Sequence, residues 1–150
     1  MSRITVSIAG SAEISALHKQ LPQLVEAAAR EALLTGIAEP VKAKAINRIR
    51  SGAKTGKQVK RHGALVKESA PGEAPADDTD QLAQSLFAKG SKGASAEVGS
   101  PLPEALYLEK GTVKMAARPF LAPAIAQLKP DAPKIIADAI GEAIAKHARP

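Results

Sequence analysis

The spacing closest to a catalytic motif in this 150-residue chain lies between Gly52 and Gln58. A phosphate-cradling loop needs four residues between its glycines, then Lys and a Ser or Thr to hold magnesium. Here Gly52 and Gly56 enclose only Ala53, Lys54 and Thr55, and Gln58 stands after Lys57 where the hydroxyl belongs. No apolar strand leads into it, so the segment reads as a flexible basic loop. Asp77, Asp78 and Asp80 place three carboxylates in four residues around Thr79, enough in principle for a hard cation. Their spacing is not that of a calcium loop, and capping the next element is the simpler use. His18, His62 and His147 lie far apart with no companion at metal-ligand spacing, which suits surface or boundary positions. Cysteine is absent, which removes thiol nucleophiles, thiolate metal sites and disulfides. No catalytic constellation emerges. The expectation is a protein without metal or cofactor that is not an enzyme.

The charge pattern points to binding instead. Net charge is +6, and between residues 40 and 67 there are nine Lys or Arg and no Asp or Glu. Lys42, Lys44, Arg48 and Arg50 close a helical stretch, and Lys54, Lys57, Lys60, Arg61 and Lys67 continue into the loop. Such a run neutralises phosphates without reading sequence. It contains no aromatic residue on which bases could stack. A solvated or subunit-facing surface is therefore the better reading, and the two coexist if the loop lies beside passing DNA.

These side chains need elements to carry them. The length fits one domain, residues 1–150, and 45% hydrophobic residues suffice for a core. Aromatics are only 2%, namely Phe87, Tyr107 and Phe120, so the core must be built from Ala, Leu, Ile and Val. Residues 3–8 alternate, with Ile4, Val6 and Ile8 on one side, as a half-buried strand would. Ser11 is placed to cap a helix whose apolar stripe runs through Ile14, Leu17, Leu21, Leu24, Val25, Ala28 and Ala32. Pro22 should dent or restart that helix, and Gly36 with Pro40 should kink it before Val41, Ala45, Ile46 and Ile49 resume the stripe. One interrupted helical segment is expected over 12–50. Residues 51–78 read as a long flexible loop insertion with a hairpin around Val59 to Val66, since loops of such length are functional or disordered. Residues 81–89 and 94–99 read as paired strands, 104–109 as a helical turn, and 111–115 as a further strand. Asp131 caps a final helix bearing Ile135, Ile136, Ile140 and Ile144. The fold class is α+β: a small antiparallel sheet packed against the long N-terminal helical segment and the C-terminal helix. No apolar run nears the roughly 20 residues of a membrane span. The N-terminus lacks a leader's apolar stretch, so a soluble protein made and used without export is expected.

Two segments resemble a known family. The first begins Ala70-Pro71-Gly72-Glu73-Ala74-Pro75 and runs through Thr79-Asp80-Gln81-Leu82 to Ser85. The second is Tyr107 to Thr112, with Glu109-Lys110-Gly111-Thr112 at its centre, followed by Met115 and by Arg118-Pro119-Phe120-Leu121. Together they resemble the tail-completion, or head–tail joining, proteins of lambdoid long-tailed phages. That pattern has Pro-Gly-x-x-Pro, then Thr-Gly-x-Leu-x-x-Ser, then Tyr, Glu-x-Gly-Thr, Arg-Pro-Phe and a terminal helix. This chain departs from it at Asp80, where the pattern has the Gly that a left-handed turn favours, and in the short spacing from Tyr107 to Glu109.

The resemblance implies a virion protein that forms a ring of six copies at the head–tail junction. It would terminate the tail tube, meet tail-tube protein on one side and head-side neck, stopper or adaptor proteins on the other, and leave a channel for DNA. Assembly would take place in the host cytoplasm. Its interface would draw on Tyr107, Glu109, Gly111, Thr112, Arg118, Pro119, Phe120 and Leu121. Gly111 permits a tight turn, the Thr112 hydroxyl can bond local backbone, and Arg118 offers a fork to a carboxylate, Glu109 being one choice. Phe120 and Leu121 are an apolar plug for a core or an interface pocket. The basic residues Lys54, Lys57, Lys60, Arg61 and Lys67 would face a partner or DNA. Two other readings remain: a head-side adaptor or stopper, and a basic DNA-binding architectural protein.

Overall fold

In the computed structural model, residues 11–61, 63–76 and 79–147 are described, with side chains from Lys19 onward. The strand expected over 3–8, His62, Asp77, Asp78 and the His18 side chain lie outside these residues. Helix α1 (Ser11–Leu33) runs through a five-residue π-turn (Leu34–Ala38) into α2 (Glu39–Ser51), so the expected interrupted helix is present. Pro22 does not break it. Pro22 is exposed, so its missing donor weakens the ladder where water can reach the freed carbonyl. The kink expected at Gly36 takes the form of the π-turn. A Cβ at Gly36 would stand 2.5 Å from Ile135 Cγ2, so glycine here lets the last helix approach. Val41, Ala45 and Ile49, four apart on α2, are all buried, while Lys44, Asn47 and Arg50 face solvent.

After α2 the chain forms an antiparallel ribbon, β1 (Gln58–Arg61) with β2 (Ala64–Lys67), in the place of the expected hairpin. It returns through a buried stretch in which Ser69, Ala74 and Pro75 are covered. Thus the loop expected over 51–78 contains a strand pair and a packed return. Helix α3 (Gln81–Ser85) replaces the first half of the strand expected over 81–89. Leu82, Ala83 and Leu86 are buried in that stretch, and so close a spacing of apolar residues fits one helical turn better than alternation. The hairpin that follows is β3 (Phe87–Ser91) with β4 (Ser95–Gly99), giving two two-stranded sheets instead of one.

Helix α4 (Pro103–Lys110), α5 (Leu121–Leu128) and α6 (Ala132–His147) complete the fold. The expected strand over 111–115 is a tight turn instead, closed by one bridge between Thr112 and Met115. Helix α5 was not expected. Pro123 falls in its first turn, where a missing donor costs nothing because those N–H groups have no intrahelical acceptor. The core joins Val41, Ala45 and Ile49 of α2 to Leu82, Ala83, Leu86, Ala105, Phe120 and Ala124. Phe120 is fully buried at its centre, an aromatic side chain among small residues. Helix α6 packs along α1, and the β3–β4 ribbon lies against α1, the π-turn and α2. The class is α+β. Among the described residues no helix is long and apolar enough to cross a membrane.

Candidate assembly site

The start of the first quoted segment, residues 69–76, and the second, residues 103–122, meet in one interlocked unit. Its first strut is Glu109, on the last turn of α4. One carboxylate oxygen accepts from the backbone N–H groups of Phe120 (2.8 Å) and Leu121 (3.0 Å), and the other from Ala122 (2.8 Å). Those N–H groups open α5, where intrahelical acceptors are lacking and the helix dipole favours negative charge. Glu109 therefore caps a helix that supplies no side-chain cap of its own. It is not the partner of Arg118, contrary to one of the sequence expectations.

The second strut is the turn between α4 and α5. Gly111 adopts φ +76, and a Cβ there would lie 2.8 Å from both Ala117 N and Met115 O, so the turn needs glycine for conformation and for space. Thr112 N donates to Met115 O at 2.7 Å, and Lys114 N donates to the Thr112 hydroxyl at 3.3 Å, the local role expected of that threonine. Beyond the turn, Arg118 N donates to Leu108 O at 2.7 Å, folding residues 116–118 back along α4.

The Pro-Gly-Glu segment supplies the third strut. Gly72 N donates to Ala117 O at 2.9 Å, and Arg118 Nε donates to Ser69 O at 3.2 Å, so each motif segment holds the other. Glu73 ties the return to the segment that follows α2. Its carboxylate accepts from Thr55 N, the Thr55 hydroxyl and Ala70 N. These bonds, the Thr55 hydroxyl first, hold its pKa below the ordinary glutamate value. No role for Glu73 was apparent in the sequence. The signal was its place in the quoted motif, between a glycine and a proline.

None of the family models, curated proteins or solved structures compared with this chain matches it.

Between the struts and the base of the β1–β2 ribbon lies a pocket of about 340 Å³. Leu108, Met115 and Pro75 form an apolar wall, with Arg61, Glu68 and Arg118 as its charged part. Arg61 pairs with Glu68 at 2.7 Å. Arg118 is half-buried, and among the described residues only Ser69 O accepts from its guanidinium. Its Nη groups have no acceptor among the described residues, and their fork geometry suits a carboxylate.

The eight expected interface residues thus divide. Phe120 belongs to the chain's own core, and Leu121 packs on that core half-buried, so the apolar plug fills the fold itself. Glu109 and Gly111 shape the unit from within. Pro119 is half-buried beside them. Tyr107 and Thr112 face solvent. Leu106 and Val113, not singled out from the sequence, are exposed as Tyr107 is, Val113 completely. An alternating or helical count from Tyr107 would not have found Val113, because the turn sets its direction.

The Asp80 corner keeps the left-handed geometry that its departure from glycine put in question. It has φ +59, unlike any other non-glycine residue among those described. Arg50 holds it through a two-pronged pair, Nε to Oδ1 at 2.8 Å and Nη2 to Oδ2, and Gln84 Nε2 adds a bond at 3.3 Å. The Arg50 bond lowers the Asp80 pKa below its ordinary value. Asp80 precedes α3, yet its side chain makes no capping bond, so the capping role expected of it goes unfilled.

Proposed function

We propose that this chain is a structural subunit of a long-tailed phage particle. It closes into a ring, with six copies by family analogy, that terminates the tail tube at the head–tail junction and leaves a channel for DNA. The observation that carries the reading is the mutual dependence of the two resembling segments. Residues 69–76 and 103–122 are far apart in the chain and share backbone bonds, so the Pro-Gly-x-x-Pro part of the first segment and the second segment form one device. That device performs no bond chemistry. It offers a rigid edge with Leu106, Tyr107 and Val113 outward and a half-buried Arg118 whose Nη groups have no acceptor among the described residues.

Contacts of this kind suit a heterologous interface, in which one patch meets a different patch on the next copy and rotation closes the ring. Exposed aromatic and aliphatic side chains and a half-buried arginine are the residue types that carry interface energy. Tail-tube protein would meet one face of the ring and head-side neck proteins the other.

Light scattering across a size-exclusion peak, with negative-stain imaging of the same fraction and purified tail tubes added or omitted, tests the reading. A ring near 93 kDa, six times 15.5 kDa, or caps on tube ends is the expected result. Tyr107→Glu together with Val113→Glu should abolish either while leaving the melting temperature unchanged. A monomer that leaves tube ends bare would refute it.

A further inference from the structure

Arginines and lysines of the basic run meet different fates in the fold. Arg50 is held by Asp80 and Arg61 by Glu68, while Lys42 pairs with Glu39 on the same helix. Arg48 lines a recess beside Gly52 and Glu73, with its Nε buried. The ammonium groups of Lys57, Lys60 and Lys67 have no ion-pair partner among the described residues, and all three side chains are exposed. Carboxylates of the fold have thus taken Arg50, Arg61 and Lys42, while the lysines of the ribbon and its foot have none among the described residues.

The ribbon gives those charges a common direction. Its register pairs Gln58 with Lys67 and Lys60 with Leu65, which puts all four side chains on one face. Lys60 and Lys67 are diagonal neighbours on that face, roughly 7–8 Å apart. Lys57 lies at the ribbon's foot, next to Gln58. Val59 and Val66 pair on the opposite face, half-covered, with Arg61 and Ala64. The principal contacts of β1 and β2 are with each other, so the ribbon stands out from the body.

We infer that the lysine face of the β1–β2 ribbon, with Lys57, Lys60 and Lys67, binds the phosphate backbone of duplex DNA without reading its sequence. Lysine is a compact charge on a long mobile stem, suited to phosphates and indifferent to the bidentate geometry of carboxylates. A two-stranded ribbon is of a size that a DNA groove accepts. The absence of aromatic residues from the ribbon removes the stacking that would favour single strands. Phosphate contacts alone give affinity without sequence preference. This contact does not depend on ring formation, so its failure would leave the tail-completion reading standing. The competing explanation is that the lysines only keep exposed strands from pairing with other chains.

Fluorescence anisotropy of the full chain on two duplexes of unrelated sequence, between 50 and 200 mM salt, decides between them. Three neutralised phosphates predict a logarithmic salt slope near −2.7, or roughly 40-fold weaker binding across that range, equal for both duplexes. The triple substitution K57E/K60E/K67E should remove that component. The control K129E/K134E/K146E changes net charge equally at exposed lysines elsewhere and should keep the slope. Circular dichroism melting confirms that both fold. No binding by the wild-type chain at 50 mM salt would overturn the inference. So would equal losses in the two triples, which would reduce the effect to net charge. Aggregation of K57E/K60E/K67E with DNA binding intact would assign the lysines to edge protection and overturn it as well.

Discussion

The interlocked unit of residues 69–76 and 103–122 and the β1–β2 ribbon treat charge in opposite ways. In the unit, carboxylates are turned onto backbone N–H groups: Glu109 on the start of α5, and Glu73 on Thr55 and Ala70. In and beside the ribbon, the exposed ammonium groups of Lys57, Lys60 and Lys67 have no ion-pair partner among the described residues. The difference teaches how a chain with three aromatic residues fixes an irregular region. Charge-assisted bonds to backbone are about twice as strong as neutral ones, and they fix direction as hydrophobic contact does not. A region built that way should be sensitive to single substitutions, and the exposed lysines of the ribbon should be indifferent to them.

The largest effect is expected where the unit meets the core. Phe120→Ala removes a fully buried ring, the one aromatic side chain of a core otherwise built from Ala, Val, Ile and Leu. A loss of about 3–5 kcal/mol is expected from urea unfolding. A loss below 1 kcal/mol would mean that the ring does not anchor the unit. Next comes Gly111→Ala. It adds a left-handed penalty to a Cβ that backbone atoms of Met115 and Ala117 leave no room for, and about 1–3 kcal/mol should be lost. Glu109→Gln preserves shape but removes the charge and one acceptor oxygen, so α5 keeps only part of its cap. A loss of about 1–2 kcal/mol is expected, with hydrogen exchange rising first at Phe120, Leu121 and Ala122. Uniform protection there would show that the cap is dispensable.

Much of this architecture was legible before the structure. Periodicity located the helical run through Ala28, Ala32, Val41, Ala45 and Ile49, and turn residues located both hairpins. Short elements were not legible, because Gln81–Ser85 offers too few residues to distinguish period 3.6 from period 2. Helix α5 was hidden by Pro119 and Pro123, which suggest stiffened coil until their place at a helix start is known. The motif residues were visible as a pattern, but their partners were not. Glu109 and Arg118 looked complementary in charge, yet each bonds to backbone that only the fold brings near. Asp80 teaches the same lesson: its glycine-like corner is retained through Arg50, which lies 30 residues earlier.

Acid should distinguish the two regions more gently. Glu73 and Asp80 have pKa values below their ordinary 4.5 and 3.8 in the fold, through bonds from Thr55 and Arg50 respectively. A carboxylate with a depressed folded pKa contributes stability that is complete above its unfolded value and is lost as pH falls through the folded one. The unfolding midpoint should therefore hold from pH 7 to about 5 and fall below about 4.5. Glu73→Gln should flatten part of that fall. An unchanged acid limb in the variant would mean that the clamp on Thr55 is not made in solution.

The smallest effect is expected in the ribbon, and it completes the contrast. Lys57→Gln, Lys60→Gln and Lys67→Gln together remove three charges that make no ion pair among the described residues. Surface substitutions away from caps, cores and paired charges stay within about 0.5 kcal/mol. Urea midpoints equal to the wild type, with the DNA salt slope diminished, would separate a region kept for binding from one kept for folding. A destabilisation above 1 kcal/mol would instead mean that the lysine stems pack against the body of the protein, and the ribbon would then belong with the interlocked unit.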